Sequence, residues 1–348
     1  MKIGMIFFEG KRTDIPLWVG GISNNVYLLS KYLIKQGHEV SVLTHPFIPN
    51  KLLEPLDGKL YYAGFGILSK FRKIFNFFKQ DFDVIHIHQL HTPILVNLIK
   101  IIKRITKSRA KIIYSIYSHA DKTSKSIGFA DKVLFSCKYN HNKIKFLPEN
   151  KKEIISLSPM DSFFKLYPKN KNPKNFLCNY AHEKEFDTSN FDFFKELKSR
   201  VPDFKLYWPE RNPQKQKSVW DSLREAFRSN IIHMKITNMP VLMEKAAFYV
   251  YIVSSKEART CPPLTVLEAM ASGAVVICRK SPVLEDLIVH KKTGLIFENK
   301  TSEIMPLVTN EPLIKKIRKA AFEASKKFER NKVYSSYLGV YKRLKHVA

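Results

Sequence analysis

Acidic residues are scarce in this chain of 348 residues: 31 Asp and Glu stand against 59 Lys and Arg, a net charge of +28. The imbalance is not a tail, because residues 1–170 alone hold 27 Lys and Arg against 12 Asp and Glu. An even surplus describes a whole-surface field of the kind that attracts anionic lipid, polyphosphate or nucleic acid. Lysine outnumbers arginine and asparagine is plentiful, so compositional drift is a competing source of the charge. No basic-aromatic RNA motif or DNA-reading helix signature accompanies it, which sets nucleic acid aside as the expected partner. Cysteine is also sparse. The four, at 137, 178, 261 and 278, show no CxxC or CxxH spacing, which excludes a zinc site and a disulfide frame and reads as thiols of a reducing compartment. No apolar run approaches the roughly 20 residues that span a bilayer. The opening Met1–Phe8 is a short strand that breaks at Glu9-Gly10, not a signal peptide. These absences predict a cytoplasmic protein and leave open a peripheral place on the inner face of the membrane. No GxGxxG follows the first strand, which argues against an NAD-type enzyme.

What is present is a folded α/β chain. Hydrophobic residues make up 45% and charged residues 26%, and the length suits two domains with separate cores. The first half alternates strand and helix. Strands are predicted at 2–8, 38–44, 84–88, 112–116, 131–136 and 153–157, and helices at about 20–36, 68–80 and 93–106. That order implies a largely parallel sheet with helices on both faces. Residues 165–174 are polar and carry proline, as a linker does. A second βα series begins at Asn175, and a last helix spans about 328–346 with Tyr334, Tyr337, Val340 and Tyr341 as its apolar stripe.

The most specific stretch runs from Pro262 to Val276. Two prolines hold the approach out of helix, Thr265 or a neighbour can cap the helix that follows, and Ser272-Gly273 ends it before a buried strand. A loop feeding a helix start in an α/β layer presents N–H groups and a positive dipole end to phosphate. Glu268, one turn in, would repel phosphate but suits the hydroxyl pair of a ribose. The alternative is an ordinary helix with a solvated Glu. Gly20-Gly21, before Ile22-Ser23-Asn24-Asn25, offers another close backbone approach at a helix start, or merely a tight turn. His86, His88 and His91 resemble a metal cluster only superficially, because no carboxylate or thiol has ligand spacing near them; no metal is expected. The helix at 68–80 places Leu68, Phe71, Ile74, Phe75 and Phe78 on one stripe among lysines and arginines. That is the pattern of an interfacial helix and equally of a sheet-covering helix in a basic protein.

The run Leu267-Glu268-Ala269-Met270-Ala271-Ser272-Gly273, with Val275-Val276, Glu285-Asp286-Leu287-Ile288 and Lys292-Thr293-Gly294-Leu295-Ile296, resembles the donor-site block of family 4 glycosyltransferases. The resemblance implies a GT-B fold: two Rossmann-like domains facing a cleft and a C-terminal helix crossing back to the first. The corresponding boundaries are 1–165 for an acceptor domain, 166–327 for a donor domain and 328–348 for the returning helix. It implies a retaining transfer from a nucleotide-sugar to a glycan or lipid-linked acceptor, with no cofactor. Glu268 would take the ribose, and Lys184 with the backbone of Leu264, Thr265 and Val266 the diphosphate. Gly20 and Gly21 would line the cleft. His119 corresponds approximately to a family histidine that reaches the donor sugar, with Tyr117 and Ser118 as competitors. Two departures stand out. Asn179 occupies the place of an arginine that partners Lys184, and Thr260 that of a carboxylate lying under the sugar; Glu257 would serve there in a rerouted loop, and Arg259 beside it would take over some phosphate contact. These departures keep open a catalytically impaired partner subunit of a glycosyltransferase complex, and the charge keeps open a polyanion-binding protein.

Overall fold

The computed structural model describes residues 1–8, 21–44, 59–62, 67–88, 93–117, 124–167, 171–178, 189–210, 225–235, 239–253 and 262–346. The chain forms two compact units, Met1–Leu157 with Asn331–Ala348, and Ser158–Arg330.

The first unit is built on a parallel sheet of seven strands: β1 (Lys2–Phe7), β2 (Glu39–Thr44), β3 (Lys59–Tyr62), β4 (Val84–His88), β5 (Lys111–Ile116), β6 (Lys132–Phe135) and β7 (Lys152–Ile154). Their order is β3-β2-β1-β4-β5-β6-β7. β3 was not anticipated from the sequence, and the strand expected at 153–157 is shorter and ends at Ile154. The apolar runs alternate sides as a two-sided sheet requires. Ile3, Met5 and Phe7 enter one core with Val26, Leu29 and Leu33 of α1 (Gly21–Lys35). Ile6, Ile85 and Ile87 enter the other with α2 (Ile67–Phe78) and α3 (Pro93–Thr106). The C-terminal helix, Arg330–His346, lies on the α1 side, burying the expected Tyr334, Tyr337, Val340 and Tyr341. It is fastened at its far end by Arg343, whose guanidinium donates to both carboxylate oxygens of Glu153 at 2.8 and 2.9 Å.

The second unit has six parallel strands: β8 (Asn175–Cys178), β9 (Lys205–Glu210), β10 (Ile231–Lys235), β11 (Phe248–Tyr251), β12 (Val275–Arg279) and β13 (Leu295–Phe297), ordered β10-β9-β8-β11-β12-β13. Its start differs from the expected polar linker at 165–174. Phe163 is buried, Tyr167 stacks on Phe322 at 4.0 Å between ring centroids, and the Lys171 ammonium donates to the Met243 carbonyl in the interior. Burial holds that ammonium down to about 7. Aromatic and cationic side chains in this segment thus reach back into the core. Cys178 and Cys278 are free and buried.

The helix Leu264–Ala271 ends as its sequence predicts. Ala274 N–H reaches back to Ala269 O at 2.9 Å and Gly273 N–H to Met270 O at 3.0 Å, while Gly273 adopts φ +74°. This is the six-to-one closure that a left-handed residue makes possible. A Cβ at Gly273 would lie 2.6 Å from the Tyr167 ring. Gly273→Ala is therefore expected to destabilise the second unit by about 2–3 kcal/mol in urea unfolding, from backbone strain together with displacement of Tyr167. A loss well under 1 kcal/mol would mean that the ring moves aside freely and the turn tolerates a side chain.

Candidate functional site

In an open parallel sheet, ligands collect at the carboxyl edge where the strand order reverses, since crossovers leave in opposite directions and open a crevice there. In the second unit that point lies between β8 and β11, and the helix Leu264–Ala271 connects the region after β11 to β12. Pro263 stands at its N-cap in extended conformation, with no side-chain cap. The expected Thr265 cap is absent, because Thr265 sits inside the first turn and its side chain shares a hydrogen bond with Tyr249 on β11. Val266 and Leu267 N–H both turn to Pro263 O, at 3.0 and 3.4 Å. Leu264 and Thr265, at the first two positions, lie too early for an intrahelical acceptor, so their N–H groups are what the helix start can offer a ligand.

Glu268 follows one turn later and is 7% exposed, on a helix buried from Val266 to Ala271. Desolvation pushes its carboxyl up to about 7. A solvated helix glutamate, the alternative weighed from sequence, would show neither. The face beneath it carries Tyr249, whose neighbour Phe248 points to the opposite core. Burial drives the Tyr249 phenol well above its ordinary range, and the nearby Glu268 charge adds to this. Sequence reasoning missed Tyr249. Its signal was there: Tyr249 and Tyr251 alternate in a strand otherwise apolar, which puts two hydroxyls on one face.

Of the remaining site residues, Gly21 opens α1 at the carboxyl edge of the first sheet. Gly20, His119, Asn179, Lys184, Glu257, Arg259 and Thr260 lie outside the described residues, as do Ser118 and His91. Tyr117 is buried, with its hydroxyl 2.8 Å from His88 Nδ1. His86 engages Tyr341 OH through Nδ1 at 2.6 Å and Ser115 Oγ through Nε2 at 2.7 Å. Both rings are fully buried, and desolvation lowers their pKa values, that of His88 to about 3. They are neutral members of a hydroxyl network that ties β4 and β5 to the C-terminal helix. Among the described residues no group of three His, Cys, Asp or Glu converges as metal ligands do.

Comparison with known proteins adds an independent line. The model of the Glycosyltransferase Family 4 matches residues 19–143, and that of the Glycosyl transferases group 1 matches residues 234–324. Among curated proteins none matches the sequence. Solved structures of the same fold include a glycosyltransferase from Rickettsia africae, at 16% identity and TM-score 0.76, covering 99% of this chain and 98% of that one. HepE from Anabaena, solved with UDP and glucose, is 14% identical with TM-score 0.74, covering 98% and 99%. Sucrose-phosphate synthase from Thermosynechococcus elongatus is 13% identical with TM-score 0.73, covering all of both chains. The architecture is the GT-B fold.

The raised Glu268 pKa has a consequence for stability. From its ordinary 4.5 up to about 7, the folded chain holds a proton that the unfolded chain has released. Stability therefore falls as pH rises through that window, and the penalty is complete above it. Glu268→Gln should raise unfolding stability by about 1–3 kcal/mol near pH 8 and far less near pH 5. Equal effects at both pH values would show that the carboxylate is solvated.

Proposed function

The chain belongs to the family 4, group 1 glycosyltransferases, and we propose that it is a retaining enzyme that moves a sugar from a nucleotide-sugar to a glycan or lipid-linked acceptor. The observation that carries this reading is the buried Glu268 one turn inside an uncapped helix start at the carboxyl edge of the second sheet. A carboxylate accepts two hydrogen bonds from a ribose diol, and its ionised form regains in the complex what burial costs it in the free protein. The Leu264 and Thr265 N–H groups suit a diphosphate oxygen, and the Thr265–Tyr249 pairing holds that turn in place. The complexes of HepE with UDP and with UDP-glucose support a nucleotide-sugar as the ligand class.

In the reaction the acceptor hydroxyl oxygen bonds the anomeric carbon while that carbon's bond to the diphosphate breaks. The hydroxyl proton leaves with the nucleoside diphosphate or to solvent, and the configuration at carbon is kept. Charge builds on the leaving diphosphate. Lys184 and Arg259 are assigned to stabilise it, alongside the helix start and Asn179. His119 is assigned to the donor sugar, Thr260 to the space beneath it, and Gly20-Gly21 to close backbone approach to the ligand. Cations and N–H groups supply the compensating charge, so no metal ion is required in this scheme.

A second reading, a catalytically impaired GT-B partner of a glycosyltransferase complex, is favoured by Thr260 and Asn179, where a carboxylate and an arginine would serve catalysis better. A panel of nucleotide-sugars, offered with lipid-linked and soluble acceptors and analysed by mass, separates the two: the transferase reading expects a glycosylated product with retained configuration. Nucleotide binding without product favours the partner subunit. Glu268→Ala is expected to abolish donor hydrolysis and transfer, and unchanged turnover would remove the ribose assignment. Lys184→Ala should lower kcat by about 10²-fold or more with little change in acceptor KM. Donor affinity should also weaken as pH falls through about 7, where Glu268 gains its proton, and Glu268→Gln should flatten that profile.

A further inference from the structure

His86 and His88 lie on β4, on the side of the first sheet that α1 and the C-terminal helix cover. Both rings are fully buried, their centroids 3.9 Å apart, and neither has a part in the transfer reaction. The side chains that meet them carry no charge. From the C-terminal helix come Tyr341, with its hydroxyl 2.6 Å from His86 Nδ1, and Tyr337, with its ring centroid 5.7 Å from that of His86. From β5 comes Ser115, with Oγ 2.7 Å from His86 Nε2, and just beyond it Tyr117, with its hydroxyl 2.8 Å from His88 Nδ1. Met5 and Phe7 of β1 pair with the two histidines in register, and the Asn25 side chain of α1 lies beside the Tyr117 hydroxyl. No Asp, Glu, Lys or Arg among the described residues bonds to either ring.

A neutral imidazole suits this setting, because hydroxyl partners donate or accept as the tautomer requires. An imidazolium does not. It donates from both nitrogens, yet His88 Nε2 meets no acceptor among the described residues. A charge on both rings would set two cations 3.9 Å apart without a carboxylate between them. Burial accordingly lowers both pKa values, that of His88 to about 3. The C-terminal helix covers the pair with Tyr337 and Tyr341, and three further contacts hold it down. Tyr334 O–H donates to Asn25 Oδ1 at 3.4 Å, Arg343 pairs with Glu153, and Lys345 lies 3.1 Å from Asp83. Lifting the helix exposes the rings to water, where an imidazole regains its ordinary affinity for a proton.

We propose that docking of the C-terminal helix and protonation of His86 and His88 exclude one another, so that the pair works as a proton-operated clasp. Neutral rings hold the helix on the sheet, and acid releases it. Stabilisation is full above the ordinary histidine value of 6.5 and is lost as pH falls from there toward about 3. The chain passes between the two units at Leu157–Ser158 and at Arg330–Asn331, and the second passage leads directly into this helix. Release therefore loosens one of the two chain connections that join them. No sugar or nucleotide enters into the clasp, so it and the transfer reading stand or fall separately.

The test is peptide-resolved hydrogen exchange of the full-length chain at about pH 7.5 and about pH 5.5, corrected for intrinsic rates, a window that spans the ordinary imidazole value and lies above that of carboxylates. His38 stands near Lys342, Lys345 and the N-terminal amine and titrates for separate reasons, so His38→Gln serves as the background. The opening equilibrium of the helix is expected to grow about tenfold for each ring that gains a proton, hence by roughly 10²-fold in all. At both pH values the helix should open more readily than β1 and β4. His86→Gln and His88→Gln should each remove about one factor of ten. Tyr341→Phe, which keeps both rings and deletes one hydroxyl, should loosen the helix at both pH values and leave their ratio as it was. A ratio near one in the protein with both histidines overturns the clasp. So does a ratio that neither histidine substitution changes. Equal opening of helix and strands overturns it too, since the rings would then be uncovered only when the whole unit unfolds.

Discussion

Parallel pairing constrains everything else in these two units. A parallel strand cannot return by a hairpin, so each crossover needs a covering element, and every segment that leaves a strand opens at the same edge of the sheet. Reversal of the strand order between β1 and β4, and again between β8 and β11, then parts the crossovers and leaves a crevice in each sheet. The helix carrying Glu268 begins at such an edge because it must run back antiparallel before β12 can pair beside β11. Position precedes chemistry here: the topology delivers a helix start to the crevice, and the side chains decide what it can hold.

Buried polar groups in the protein divide into two kinds. His86 is enclosed but has hydroxyl partners on both ring nitrogens, so its burial costs little and it stays neutral. Glu268 is enclosed, and its raised pKa is the signature of a carboxylate that would be more comfortable in water. Lys171 is an intermediate case, with a carbonyl partner yet a pKa depressed first by burial and then by the nearby Arg318 charge. A group kept at such cost at the carboxyl edge of a sheet has a reason to be there that packing does not supply. The same contrast applies to surfaces, where Ile94, Ile101 and Ile105 of α3 stay more than half exposed and lie outside the core cluster.

Much of the fold was legible in the residues. The apolar runs of β1, β4 and β5, the helical spacing of α1 and α3, and the glycine stop after Ser272 each act locally and appear where the sequence places them. Failures came where partners are distant. Tyr167 and Lys171 look like linker residues until Phe322 and Met243 are brought beside them. Thr265 looks like a cap, but Pro263 already holds that position and Tyr249 claims the hydroxyl. In the candidate site, Glu268 and the helix start were legible from motif and spacing. Tyr249 was marked only by its alternation with Tyr251, which does not say which face of β11 meets the helix.

By itself the sequence determined an α/β chain of two βα series, the family, the ending of the helix at Gly273 and the residue types available for a nucleotide. These follow from periodicity, turn chemistry and spacing, which act over a few residues. Tertiary structure alone decided that Glu268 is desolvated while Ile101 and Ile105 are not. An amphipathic pattern states which side chains could be buried, but burial requires a neighbour, and the neighbours of both helices come from far along the chain.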